Sequence, residues 1–294
     1  MAAGVGAGDL VSLMRPSQWV KNTIVLAPLV FSQNLFEPGS LAAALLAFAT
    51  FCLASSACYV FNDLVDRRRD ASHPLKSNRP LASGRVGSGP AVVLACVLAA
   101  ASFALGIGSG AVFASLLTAF LALQALYTLF LKRVLLADAV VIAAGFLLRA
   151  AAGVVAIGAR MSPWLFLCTF VLALFLALAK RRHELTLLGA TAGEHRDVLG
   201  RYTGRLLDVL IAVAAVAVVG AYIAYSLWPP VAENLGTTQL YLTIPFVVFG
   251  VLRYLFLVYG RADGGNPTGV LLADLPLQTS VALWIATVLI LLYR

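Results

Sequence analysis

The chain has 294 residues, 61% hydrophobic and 12% charged, with a formal net charge of +8. A soluble domain carries roughly 25% charged and about half apolar residues, so this apolar excess is more than a soluble core could bury. No hydrophilic stretch is long enough for a separate soluble domain, and residues 1–294 read as one membrane domain whose basic charges, in short loops, point to membrane topology and small anions and not to nucleic acid.

The opening MAAGVGAGDL has neither the basic start nor the cleavage-type end of a signal peptide. Residues 9–19 mix polar and apolar types and read as a short interfacial helix. Apolar runs then recur at about 20–36, 41–63, 90–108, 110–131, 136–157, 163–182, 204–227, 238–259 and 276–293. These runs are twice the length of a barrel strand and show no period-2 alternation, so they predict helices. The expected fold is all-α, an integral membrane bundle of about nine transmembrane helices. Cys52, Cys58, Cys96 and Cys168 lie inside apolar runs without metal-ligand spacing and read as packing residues.

With nine spans, seventeen of the 21 Lys and Arg residues fall on one side, among them Arg196 and Arg261. Arg160 and Arg294 fall on the other side, and Arg149 and Arg253 lie within spans. An excess of bases marks the cytoplasmic side, which places the N-terminus in the cytoplasm and the C-terminus outside. The two long basic loops, after the second and sixth spans, share that side and suggest two related halves facing one cavity.

Arg15-Pro16-Ser17-Gln18-Trp19-Val20-Lys21-Asn22 brings a Trp and two bases to the start of the first span. Trp19 reads as an interfacial anchor, while Lys21 and Asn22 lie further in, within reach of a cavity. At the end of the second span, Asn62, Asp66 and Asp70 are four residues apart. On a helix they share one face, drifting about 40° per step. Three oxygen donors on one face suit a hard cation such as Mg²⁺, which takes one or two carboxylates together with substrate phosphates. His73-Pro74-Leu75-Lys76-Ser77-Asn78-Arg79-Pro80 follows, a Pro-stiffened loop whose Lys76 and Arg79 suit a phosphate or diphosphate. Arg149 is an intramembrane charge that requires a polar cavity or a partner; Asp138 is placed to pair with it or with Arg253, or to cap the fifth span. Lys180-Arg181-Arg182-His183-Glu184 closes the sixth span with Lys180 and Glu184 on one face, and Arg201-Tyr202-Thr203-Gly204-Arg205 opens the seventh. This half has more bases than acids and looks like an anion clamp, with no role given to His183. Ionisable groups gathered at one face also argue against a transporter, which places them at the midplane.

The string NDLVDRRRD resembles the N-D-x-x-D-x-x-x-D signature of the UbiA superfamily of membrane prenyltransferases. RPSQWVKN, HPLKSNRPLASG, FLLRA, KRRHEL, RYT and LRY together resemble its decaprenyl-phosphate phosphoribosyltransferase branch. The resemblance implies a helical bundle in the plasma membrane with a cavity open to cytoplasm and lipid. The implied reaction moves 5-phosphoribose from phosphoribosyl pyrophosphate to a polyprenyl phosphate, and the product feeds cell-wall arabinan synthesis. It implies Mg²⁺ on Asn62, Asp66 and Asp70 as the catalytic set, with Lys21, Lys76, Arg79, Arg149, Lys180, Glu184 and Tyr202 on substrate phosphates. Aromatic prenyltransferases of the superfamily carry a second aspartate-rich motif after the sixth span. Here that position reads KRRHEL, with Glu184 as its one acid. One metal cradle plus extra cations suits a donor with a diphosphate and a further phosphate better than a lipid diphosphate. The sequence leaves the oligomeric state open.

Overall fold

A computed structural model describes residues 6–74, 76–188, 198–260 and 267–294, and every regular element among them is helical. Leu75 of the basic loop, and Arg196 and Arg261 of the charge count, lie outside the described residues. In chain order the elements are α1 (Ala7–Met14), a 3-10 segment (Pro16–Leu26), α2 (Ala27–Phe31), α3 (Pro38–Ala71), α4 (Ser88–Ile107), α5 (Ala111–Leu129) and a 3-10 turn (Leu131–Arg133). Then come α6 (Ala137–Ala156), α7 (Pro163–Leu188), a 3-10 turn (Leu199–Arg201), α8 (Gly204–Leu227), α9 (Pro229–Leu235) and a 3-10 turn (Gln239–Thr243) leading into α10 (Ile244–Gly260). The short α11 (Pro267–Ala273) and α12 (Leu275–Tyr293) end the chain.

Among the described residues, eight helices are long and apolar enough to cross a bilayer. They match the second to ninth expected spans, and the chain is a multi-pass membrane protein. Their outward positions remain apolar: Val93 is 62% and Val216 73% exposed, as lipid-facing positions require. The first expected span, at 20–36, takes another form. It is the 3-10 segment followed by the five-residue α2. So long a 3-10 run is uncommon, and irregular backbone at membrane depth is tolerated where protein covers it or a cavity adjoins it. Both conditions hold here. Lys21, Ile24 and Pro28 line an internal cavity, and the other side lies directly on α6. A Cβ on Gly153 would sit 2.1 Å from the Val25 carbonyl oxygen. Only glycine lets the two backbones come this close.

α3 runs two turns beyond the apolar stretch expected at 41–63 and keeps Asn62, Asp66 and Asp70 on one continuous helix. Phe51 of α3 packs edge-on against Phe113 and Phe120 of α5, with Val25 and Ala152 beside them. A second core joins α6, α7, α8 and α10 around Phe175, Leu207 and Tyr254. Lipid is as apolar as these side chains, so their burial supplies packing without a hydrophobic driving force. Polar ties then carry more of the specificity.

The strongest of these ties corrects an expectation. Asp138 pairs with neither Arg149 nor Arg253. It accepts from Arg181 Nε at 2.6 Å and from the Tyr202 hydroxyl at 2.8 Å. Arg181, 1% exposed, also contacts Glu184, and Tyr202 accepts from the Leu136 amide at 3.1 Å. The clamp joins α6, α7 and the segment before α8. Burial and the Asp138 carboxylate push the Tyr202 phenol well above its usual pKa, so it stays a donor at neutral pH. Arg253 instead forms a bidentate pair with Asp274, which caps α12.

Gly153→Ala should lower the thermal midpoint of the detergent-solubilised protein, at a cost of about 1–3 kcal/mol for overpacking. Gly220, with open space around its Cβ position, is the control, and Gly220→Ala should leave the midpoint level or slightly raised. Equal melting of the two variants would rule out close backbone packing at Gly153. Tyr202→Phe keeps the ring and removes two hydrogen bonds, the one donated to Asp138 and the one accepted from the Leu136 amide, a loss of about 1–3 kcal/mol. An unshifted melt for that variant would detach Tyr202 from the clamp.

Candidate active site

The bundle encloses a cavity of about 1580 Å³ bounded by α3, α5, α6, α7, α8, α10, α12 and the irregular first span. Its two ends differ in chemistry. One end is lined by Asn62, Asp66, Lys76, Arg79, Lys132, Lys180 and Glu184. The other is aromatic, with Phe31, Trp164, Tyr225, Trp228 and Trp284. Apolar residues such as Ile142, Leu172 and Phe175 line the space between.

At the polar end, helix geometry sorts the three expected ligands. Asn62 and Asp66 face the cavity, where Asn62 accepts from Thr128 at 3.5 Å and Asp66 from Lys132 at 2.6 Å. Asp70 is one further step round the helix and is not on the cavity wall. It is buried against Arg79 at 2.6 Å, with Lys76 at 4.0 Å. The drift accumulated over two steps of four residues accounts for this. Asp63, part of the NDLVDRRRD signature but given no role from the sequence, is also buried and binds Arg15 at 2.5 Å and Arg79 at 3.0 Å. Arg79 is thus fixed by two carboxylates and still reaches the cavity. Removing one partner of such a buried pair typically costs about 3–5 kcal/mol.

On the facing wall only part of the expected anion clamp points inward. Lys180 and Glu184 line the cavity, 3.9 Å apart. Arg181 is consumed by Asp138 and Glu184, and Arg182 turns away to Asp208 at 2.7 Å. Tyr202 belongs to the Asp138 clamp and lies off the cavity wall. Lys132, counted from sequence only as a loop charge, is 7% exposed and lines the site beside Asp66. Its pairing depends on a tertiary contact 66 residues away, which no local pattern reveals.

Deeper in, Arg149 is held by neutral groups. Its Nε donates to Asn22 Oδ1 at 2.8 Å, and its Nη1 and Nη2 donate to the Gly145 carbonyl at 3.1 Å and Ser55 Oγ at 3.3 Å. The Phe120 ring lies 4.5 Å from the guanidinium carbon. Lys21, one residue from Asn22, lines the cavity alongside it. Trp19, expected at the interface, donates to Ser56 Oγ at 3.0 Å and packs on α3.

The donor set can be tested against a divalent cation. Among the described residues no three His, Cys, Asp or Glu side chains cluster as a metal cage. Two oxygen donors, Asn62 and Asp66, nevertheless share one wall amid cations that suit phosphate. Mg²⁺ retains several waters and takes one or two carboxylates plus substrate phosphates. The residues fit an ion that arrives with its phosphate ligand.

The sequence pattern of the UbiA prenyltransferase family matches residues 23–268. The decaprenyl-phosphate phosphoribosyltransferase of Corynebacterium glutamicum is 34% identical over 295 residues, covering 98% of this chain and 87% of that protein. The protein of the same name from Mycobacterium tuberculosis is 34% identical over 286 residues, covering 95% and 92%. Among solved structures, a UbiA homolog from Archaeoglobus fulgidus bound to GPP and Mg²⁺ superposes with a TM-score of 0.73 at 19% identity, covering 97% of this chain and 100% of that one. By sequence and by fold, this chain belongs to the UbiA prenyltransferase family.

Proposed function

We propose that residues 1–294 form one transferase domain that moves 5-phosphoribose from phosphoribosyl pyrophosphate to a polyprenyl phosphate, releasing pyrophosphate. One observation carries this reading. The cavity pairs a single oxygen-donor wall, Asn62 and Asp66, with a facing wall that offers Lys180 and one acid, Glu184. A lipid diphosphate held between two metal cradles needs acids on both walls. A donor with a diphosphate and a further phosphate needs one cradle and additional cations. The names of the relatives at 34% identity support the same substrates.

In this reading Lys76, Arg79 and Lys132 bind the donor diphosphate at the cavity mouth. Arg79 is preorganised by Asp63 and Asp70, so it loses no freedom on binding. Asp70 acts through Arg79. Asn62 and Asp66 would hold Mg²⁺, which offsets charge developing on the departing pyrophosphate. An acceptor phosphate oxygen attacks C1 of the ribose, the bond from C1 to pyrophosphate breaks, and C1 inverts. The phosphate is anionic at neutral pH, so the step needs no general base. The apolar walls exclude water that would compete for C1. The basic end faces the cytoplasm of the plasma membrane, in keeping with the charge asymmetry.

The test is transfer of label from phosphoribosyl pyrophosphate to decaprenyl phosphate, set against prenyl diphosphate with an aromatic acceptor. Only the first pair should give product, and chelation should abolish it until Mg²⁺ returns. Asp66→Asn should cut the rate roughly 100-fold or more while the protein stays membrane-inserted. Near-normal turnover in that variant would overturn the metal assignment, and product from the second pair would overturn the substrate assignment.

A further inference from the structure

Charge pairing around the polar half of the cavity divides its cations into two groups, apart from the exposed Arg160 on the lining at the aromatic end. At the mouth, Arg15 has Asp63, Arg79 has Asp63 and Asp70, Lys76 has Asp70, and Lys132 has Asp66. On α7, Lys180 and Arg181 share Glu184. Lys21 and Arg149 differ. Arg149 is buried and touches only amide, hydroxyl, carbonyl and aromatic groups, and no described residue makes a hydrogen bond or ion pair with the Lys21 ammonium. Lys21 lies within electrostatic range of both Arg149 and Lys180. Asn22, next to Lys21 in sequence, bonds Arg149, and both cations line the same low-dielectric cavity; with no counter-charge against either among the described residues, they are costly to hold. A bound anion removes that cost.

Depth indicates which anion. Arg149 bonds Ser55, and Ser55 and Asp66 are three turns apart on α3, about 16 Å along its axis. The pair therefore sits well below the mouth, where the lining becomes apolar with Ile24, Cys58 and Phe146. From there the cavity continues to the aromatic end at Trp164 and Trp228. A phosphate placed on Lys21 and Arg149 has polar groups above it and a mostly apolar and aromatic lining below it, with Arg160 and Asn234 only at the far end. That suits a phosphomonoester on a long apolar chain, whereas a free sugar phosphate would leave apolar wall uncovered.

We propose that Lys21 and Arg149, with Lys180 between the two sites, form a metal-independent seat for the phosphate of the lipid acceptor, distinct from the donor site at Asp66. The proposal deepens the phosphoribosyl-transfer reading and rests on it for the word acceptor. The nucleophile then stands on the floor of the polar chamber and pyrophosphate departs toward the mouth, so attack runs along the cavity axis. Lys21 binds and orients, and takes no part in proton transfer.

The experiment measures binding of decaprenyl phosphate to the full-length protein in nanodiscs, with chelator and without donor, alongside uncharged decaprenol. Wild type should bind the phosphate without metal. Lys21→Gln should weaken phosphate binding about tenfold or more, as expected for one charge-assisted contact in a dry site, and leave decaprenol binding unchanged. Lys21→Arg should retain most of the affinity. In turnover, Lys21→Gln should raise KM for decaprenyl phosphate and leave KM for phosphoribosyl pyrophosphate unaltered. Arg149 is tied into the fold, so Lys21 is the residue that decides the outcome. Unchanged phosphate affinity in Lys21→Gln, or a phosphate that binds only with metal, overturns the proposal. A rise in donor KM in its place also does so, and assigns the pair to the donor's 5-phosphate. If wild type binds decaprenyl phosphate through Lys21 yet transfers no phosphoribose, the seat stands and the reaction assignment falls.

Discussion

A charge brought inside a membrane bundle must find an opposite charge, a polar partner or a bound ligand, because nothing else there replaces water. That constraint organises the polar half of this protein. Asp63, Asp70 and Asp138 are almost wholly buried, and each is met by a guanidinium. These pairs join the first segment to α3, the α3–α4 loop to α3, and α6 to α7. They do the organising that hydrophobic burial does in a soluble protein, where apolar surface leaves water and not lipid. The same pairs leave a defined set of groups for a substrate. Arg79, Lys132 and Lys180 are positioned by carboxylates and still face the cavity.

The architecture is largely legible in the sequence because a bilayer demands long apolar helices. Eight runs of that kind become eight spanning helices. The first run does not, since the pattern that reports apolar length is silent on hydrogen-bond register. Its 3-10 stretch instead meets a distant helix, with Val25 against Gly153 and Asn22 against Arg149 of α6. Asn62 and Asp66 stand out because spacing by four on a helix is a local property. Lys132 carries no site signal in the sequence, and the motifs that contain Asp63 and Arg181 do not reveal their roles, because their partners are tertiary. Asp138 shows the limit most clearly. The sequence offers it Arg149, Arg253 or the start of its own helix; the fold keeps it in the first turn of α6 and brings it Arg181 and Tyr202.

The two walls of the cavity differ in charge. On α3 Asn62 and Asp66 face inward, whereas on α7 the sequence KRRHEL sends Arg181 into the clamp and Arg182 outward, leaving Lys180 and Glu184 inside. The acids and bases on that helix face set the charge that the chamber offers an anion, while Arg181 of the same motif ties α7 to α6. Likeness of fold at 19% identity therefore says little about the donor, and the residues on α7 say much more.

The irregular first segment bears on how the chain is assembled. It precedes the eight spanning helices in the chain, yet what holds it in place comes much later. Asn22 meets Arg149 across 127 residues, Gln33 donates to the Leu235 carbonyl across 202, and the Leu35 amide to the Tyr293 hydroxyl across 258. A short segment with incomplete α-helical bonding is poorly satisfied in bare lipid. Its seating therefore depends on contacts with α6, α9 and α12, and those contacts complete the wall that carries Lys21.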